Sequence, residues 1–198
     1  DLQTDKIEAE RTIQMGNGNR GNTMIIKNGL VFTPEGKFEK KDFYIEGEYV
    51  AKETTDNKEV EAEGCYVIPG LVDIHFHGCV RHDMCDGTEE SIQALADYEA
   101  ANGVLAICPA TMTIPEEELF QAMNAAREHK NGKGADLVGI NMEGPFVNKE
   151  KKGAQKEEDI KLADVELFHK LQEAAGGLIK LVDLAPETEG AMDFINQV

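Results

Sequence analysis

One segment constrains this chain more than any other: Val67-Ile68-Pro69-Gly70-Leu71-Val72-Asp73-Ile74-His75-Phe76-His77-Gly78. An apolar run enters through Pro-Gly, stays hydrophobic enough for a buried strand, and closes on His-Phe-His-Gly. Side chains alternate across a strand, so His75 and His77 share one face while Phe76 takes the other. Two imidazoles at that spacing reach a single metal ion. Gly78 frees the backbone to turn, which puts the pair at the C-terminal mouth of the strand, where parallel α/β folds carry their chemistry. A lone histidine is usually a satisfied core or surface residue. Two of them closing an apolar strand point to metal ligation, since neutral imidazole is the commonest metal ligand.

The rest of the chain supplies the architecture for such a strand. Residues 1–23 are polar and end in Gly16-Asn17-Gly18-Asn19-Arg20-Gly21-Asn22, which reads as a tail or linker. Residues 24–66 have a β pattern, with strands expected over Ile25–Phe32, Asp42–Val50 (broken at Gly47) and Val60–Ile68. In residues 67–198 helix and strand alternate. Thr88 is placed to N-cap a helix reaching about Asn102, and Gly103–Thr111 is a second strand. Pro115-Glu116-Glu117-Glu118 opens another helix, with acids at its positive end. Leu137–Glu143 is the third strand, and a polar loop leads to a helix from about Ala163 to Ala175, ended by Gly176-Gly177. Leu178–Ala185 is the fourth strand, and a last helix begins near Thr188. The order βαβαβαβα demands a parallel sheet, so the fold class is α/β.

Composition narrows the partners. A chain of 198 residues holds one domain, or one and part of another. Its net charge of −18 disfavours nucleic acid and anionic membrane surfaces, which need a basic footprint. A small anionic substrate remains compatible, because it needs only a local basic group. No apolar run approaches the roughly 20 residues of a membrane span, and residues 1–23 lack the hydrophobic core of a signal peptide. The cysteines (Cys65, Cys79, Cys85, Cys108) show no paired framework, so intracellular thiols are the simpler reading. A cytoplasmic location is expected.

Glu143-Gly144-Pro145-Phe146 is the second informative stretch. A carboxylate closing an apolar strand is costly to bury unless it is paired or on a metal, and the Gly-Pro turn places it at the same mouth as the histidines. Alone it would read as a solvated strand-end Glu; beside His-x-His it reads as a ligand.

Pro-Gly-Leu-Val-Asp followed by His-x-His-Gly resembles the first barrel strand of the amidohydrolase superfamily, the metal-dependent (β/α)8 hydrolases. Further segments sharpen this to the N-acetylglucosamine-6-phosphate deacetylase family: Gly103-Val-Leu-Ala, Pro109-Ala-Thr111-Met-Thr113, Glu143-Gly-Pro-Phe, Lys151-Lys152-Gly153-Ala154-Gln155, Lys180-Leu-Val and Ala185-Pro186-Glu187. They occur in that family's order, and the resemblance runs from Met24 to Val198. It implies a partial TIM-like (β/α)8 barrel, its first four βα units, preceded by a small β-sandwich segment. His75 and His77 match the family's first-strand metal ligands, and Glu143 its third-strand ligand, which bridges when two metals bind. One or two divalent ions, zinc or iron, are implied, with substrate contacts at Gln155 and Gly144. Gln155 falls where some members carry a substrate-contacting His, and Asn141 stands where relatives often have His. These departures leave the sugar contacts more open than the metal site.

The activity the resemblance implies is hydrolysis of the acetamide of N-acetylglucosamine 6-phosphate to glucosamine 6-phosphate and acetate, by a homodimer. The family's catalytic base is an Asp on the eighth strand, and two further ligands are histidines on the fifth and sixth. None of these is in this chain, so no catalytic residue is assigned within it, and the expectation is an N-terminal half that is inactive alone. Other readings stay open. The chain could be another amidohydrolase, dihydroorotase-like or deaminase-like, or a non-catalytic metal-binding fragment. His75, His77, Cys79, His82 and Cys85 could form a structural zinc knot, although their spacing matches no closed zinc ribbon. Lys149, Lys151 and Lys152 could attract a sugar phosphate or simply form a solvated loop.

Overall fold

The computed structural model describes residues 23–198 apart from residue 48 and residues 55–57, so the expected tail lies, but for Thr23, outside the described residues. The chain forms two compact units that change over between Leu71 and Val72.

The unit before the changeover carries one mixed sheet. Its strands are β1 (Met24–Phe32), β2 (Phe38–Glu46), β3 (Tyr49–Ala51), β4 (Glu59–Glu61) and β5 (Tyr66–Val67), in the order β3-β2-β1-β4 with β5 also on β1. β2 runs antiparallel to β1, whereas β4 and β5 run parallel to it. Met24, Ile26 and Val31 are buried, and the alternation slips between Ile26 and Gly29, where the register shifts in a bulge. Asp42 secures that bulge: its Oδ1 accepts from Asn28 N at 3.0 Å and its Oδ2 lies 2.9 Å from Lys27 Nζ. The expected strands Asp42–Val50 and Val60–Ile68 are each divided in two, because turns at Gly47 and Gly64 interrupt their hydrophobic runs.

The second unit alternates strand and helix. Its elements are β6 (Leu71–Asp73), the hairpin β7–β8 (Gly78–Cys79 and His82–Asp83), α1 (Glu89–Ala101), β9 (Val104–Ile107), α2 (Glu116–Glu128), β10 (Asp136–Leu137), β11 (Ile140–Glu143), α3 (Val165–Ala174), β12 (Ile179–Asp183) and α4 (Ala191–Ile195). One sheet has the order β10-β9-β6, and β11 pairs with β12 in another. The β10–β9 and β11–β12 ladders are parallel, as the α/β class requires. A parallel bridge between Ala110 and Asn141 ties the sheets together, with Asn141 N donating to Pro109 O at 3.0 Å. The expected third strand, Leu137–Glu143, is therefore two pieces in different sheets, broken at Val138-Gly139.

The helices follow their local signals. Thr88 accepts from Ser91 N and caps α1, and Asp164 accepts from Leu167 N and caps α3. α2 starts after Pro115 with no side-chain cap, and Glu116, Glu117 and Glu118 complement its dipole instead. Each helix buries one stripe: Ile92, Leu95 and Ala96 on α1, Leu119, Ala122 and Met123 on α2, and Leu167, Phe168 and Leu171 on α3. These pack with Ile107, Ile140 and Met142 from the strands. Full burial of a side chain of that size is worth about 1.5–3 kcal/mol. The Phe146, Phe168 and Phe194 rings close the core beneath α3 and α4, in edge contacts of 5.2 and 5.5 Å.

The opening segment departs from expectation in one respect. Only Leu71–Asp73 is strand, and Leu71, Val72 and Ile74 are 52%, 56% and 54% exposed rather than buried. An apolar run becomes a buried strand only where another layer covers it, and the described residues leave these side chains more than half uncovered. The path beyond Asp73 still follows its neighbour: Cys108 N donates to Asp73 O at 2.8 Å and Ala110 N to Phe76 O at 2.7 Å. His75 and His77 are thereby held at the C-terminal end of the strand.

Candidate metal centre

His75, His77 and Glu143 come together from two strand ends, and their ligand atoms all lie within 4.8 Å of one another. Glu143 Oε2 is 3.3 Å from His75 Nε2 and 3.1 Å from His77 Nε2. Ligands of a tetrahedral zinc, on bonds of about 2.0 Å, stand about 3.3 Å apart. The donor set is one that zinc takes, and both His–Glu separations match that spacing. The imidazole rings are near-perpendicular, 84° apart.

Gly78 fixes the exit from this pair. A Cβ there would collide with His82 O, so the glycine is required by the close approach of the β7–β8 hairpin rather than by an unusual φ. Met84 N donates to His77 O at 3.1 Å and ties the end of the hairpin back to the main chain of His77.

A second set of side chains surrounds the three. Asn141 Nδ2 is 2.9 Å from His75 Nδ1 and donates to Ile74 O at 3.2 Å. Asp183 Oδ2 is 3.7 Å from the same Nδ1. Gln155 is 4% exposed and spans two partners, accepting from Thr113 N at 2.6 Å and donating to Glu143 Oε1 at 2.6 Å. Gly144 has φ 77, and a Cβ there would collide with Thr113 Oγ1. The metal-ligand and substrate-contact residues read from the sequence thus occupy one place, with Gln155 and Gly144 against Glu143 and Thr113.

Asp183 and the inward role of Asn141 were not legible as site features. The available signal for Asp183 was the one that marked Glu143, a carboxylate closing an apolar run. The alternative zinc knot does not form. Among the described residues His75, His77 and Glu143 are the one such cluster. His82 Nδ1 instead meets Ser91 Oγ at 3.0 Å, and Cys85 Sγ accepts from Met112 N at 3.1 Å. Burial pushes the Cys85 thiol up to about 12, which removes it as a ready thiolate. In the lysine loop, Lys149 and Lys151 are exposed, while Lys152 Nζ donates to Gln155 O at 3.0 Å.

No family model matches the chain. Curated relatives do match. The N-acetylglucosamine-6-phosphate deacetylase of Bacillus subtilis (strain 168) is 36% identical over 180 residues, which are 88% of this chain and 44% of that protein. The N-acetylgalactosamine-6-phosphate deacetylase of Escherichia coli O157:H7 is 27% identical over 179 residues, 89% of this chain and 48% of that protein. Among solved structures, the N-acetylglucosamine-6-phosphate deacetylase of Pasteurella multocida superposes with a TM-score of 0.76 at 20% identity, covering 89% of this chain and 49% of that one. The chain spans about half the length of the curated relatives it matches. Its α/β fold is shared with amino-sugar phosphate deacetylases, which are hydrolases. Its curated homologues at 27–36% identity are named N-acetylglucosamine-6-phosphate deacetylase, the family its sequence motifs resemble, or, in the Escherichia coli O157:H7 case, N-acetylgalactosamine-6-phosphate deacetylase.

Proposed function

We propose that the chain is the metal-binding N-terminal half of an enzyme that hydrolyses the acetamide of N-acetylglucosamine 6-phosphate, giving glucosamine 6-phosphate and acetate. Its second unit is then the first four βα units of a (β/α)8 barrel, and its first unit is part of a small β-sandwich. One observation carries the reading: two imidazole nitrogens and one carboxylate oxygen converge at metal-ligand spacing from two strand ends, in a chain whose curated homologues are deacetylases.

In this reading His75 Nε2, His77 Nε2 and Glu143 Oε2 hold a divalent ion, zinc or iron. Such an ion supplies Lewis acidity toward an amide carbonyl and a bound water of lowered pKa. The chain's own residues bind and orient: Asp183 lies on the Nδ1 side of the His75 ring, and Gln155, itself held by Thr113 N, donates to Glu143. The proton that must reach the leaving amine is handled by a base outside these residues, so the isolated chain should not turn over. The complete protein is proposed to be a cytoplasmic homodimer.

Acetate release from N-acetylglucosamine 6-phosphate and from its galactosamine epimer tests the reading. The complete protein should deacetylate the former, lose activity with a chelator and regain it with zinc or iron; residues 24–198 alone should be inactive. Faster turnover of a cyclic ureide such as dihydroorotate than of either sugar phosphate would reject it.

A further inference from the structure

We infer that Asn141 is a positioning residue that sets the tautomer of His75 and thereby loosens the centre's hold on its ion, an inference that rests on the metal-binding reading above. The groups around the Asn141 amide decide how it stands. Ile74 O can only accept, and Asn141 Nδ2 lies 3.2 Å from it, so the NH2 end must face that carbonyl. The same Nδ2 lies 2.9 Å from His75 Nδ1. An amide NH2 donates and does not accept, so Nδ1 is the accepting nitrogen of the ring and the hydrogen stands on Nε2. Nε2 then faces Glu143 Oε2, an acceptor, at 3.3 Å.

A ring that ligates through Nε2 needs the opposite arrangement. The hydrogen leaves Nε2, whose lone pair goes to the ion, and one hydrogen stands on Nδ1, so the ring stays neutral. Nδ1–H would then point at the Asn141 NH2 group, donor against donor. Turning the amide exchanges one conflict for another. Oδ1 would accept from Nδ1–H but would also face Ile74 O, acceptor against acceptor. Asn141 is 4% exposed, so water has little access to mediate either pairing. The group that suits Nδ1–H is Asp183 Oδ2, which at 3.7 Å is farther from the ring than the amide. His77 adds no compensation, since its Nδ1 is buried with no hydrogen-bond partner among the described residues. Histidines on metals almost always donate that second N–H to an acceptor, and Asn141 sets a donor in its place.

The test is NMR of the histidine ring nitrogens together with zinc titration calorimetry, on the full chain as wild type, Asn141→Ala and Asn141→Leu. In the chelator-treated wild type, His75 should carry its hydrogen on Nε2. Both variants remove the donor, and Asn141→Leu keeps the bulk, so each should show a larger share of the Nδ1–H form. Each should also bind zinc about 10-fold more tightly than the wild type, the scale on which groups behind a metal-bound histidine act. Were Asn141 only a brace, its loss would weaken binding, so the sign of the change separates the two roles. Thermal unfolding in chelator checks that the variants are folded; should neither fold, the wild-type tautomer decides alone. A wild-type His75 with its hydrogen on Nδ1, or folded variants that bind zinc no more tightly, would overturn the inference. No zinc binding by any of the chains, or binding unchanged by His75→Ala with His77→Ala, defeats the underlying metal reading instead.

Discussion

Gly144→Ala probes how the chain holds the carboxylate that precedes it. The residue has φ 77, a conformation that costs an L-residue with a Cβ about 1–2 kcal/mol. The added Cβ would also overlap Thr113 Oγ1, with Thr113 Cβ and Cα at 3.3 and 3.4 Å. Thr113 is 1% exposed and has no open side to swing toward, so the overlap adds overpacking of about 1–3 kcal/mol. The sum, about 2–5 kcal/mol, is a large part of a typical domain's stability of about 5–15 kcal/mol. The two contributions can be separated. Thr113 Oγ1 is buried with no hydrogen-bond partner among the described residues, so Thr113→Ala removes the obstruction without breaking a bond. The backbone N–H of residue 113, which holds Gln155, survives that change. Urea unfolding of the wild type, both single variants and the double variant should show a favourable coupling of about 1–3 kcal/mol, with the backbone cost left over. Additivity within about 0.5 kcal/mol would refute the steric argument.

Asp183→Ala should weaken zinc binding about 10-fold, because a ring that ligates through Nε2 carries its proton on Nδ1 and Asp183 Oδ2, 3.7 Å away, is the carboxylate beside it; dialysis reads this directly. His129 gives a pH dependence. It is 8% exposed, and burial lowers its pKa against the opposing pull of Glu89 and Asp136. Below about pH 6.5 the unfolded chain takes up a proton that the folded chain resists. Stability should then fall by up to about 1.4 kcal/mol per pH unit until the folded-state value is reached. Asp136, whose carboxyl is raised by burial, contributes with the opposite sign at more acid pH. Urea midpoints at pH 7.5 and 5.5 should therefore differ less in His129→Gln than in the wild type; equal differences would remove His129 as the cause.

Local signals made the helices legible and left the strand breaks hidden. Thr88 and the glycines Gly176-Gly177 mark their helix ends in chemistry that acts within one turn, and α1 and α3 lie within a residue or two of expectation. The run Leu137–Glu143 looks continuous because each residue suits a strand, yet its halves pair with different partners. Which sheet a strand joins is a property of its neighbours, not of its own hydrophobicity. The same limit explains Leu71, Val72 and Ile74, whose apolar character says that they favour burial and nothing about what covers them.

The site divides along the same line. His75 and His77 were legible because alternation along one strand suffices to aim them together. The inward placement of Asn141 and the approach of Asp183 depend on register between strands. The β11–β12 ladder sets Glu143 opposite Asp183, which puts two carboxylates on neighbouring strand ends in a chain of net charge −18. Like charges so placed are unfavourable unless something positive or hydrogen-bonding stands between them. The His75 ring stands there, with Nε2 3.3 Å from Glu143 and Nδ1 3.7 Å from Asp183. One imidazole thus separates the two carboxylates and turns its Nε2 toward the ligand oxygen. A cation at Glu143 Oε2 would relieve the remaining repulsion, so the local charge balance and the ligand geometry favour the same occupant.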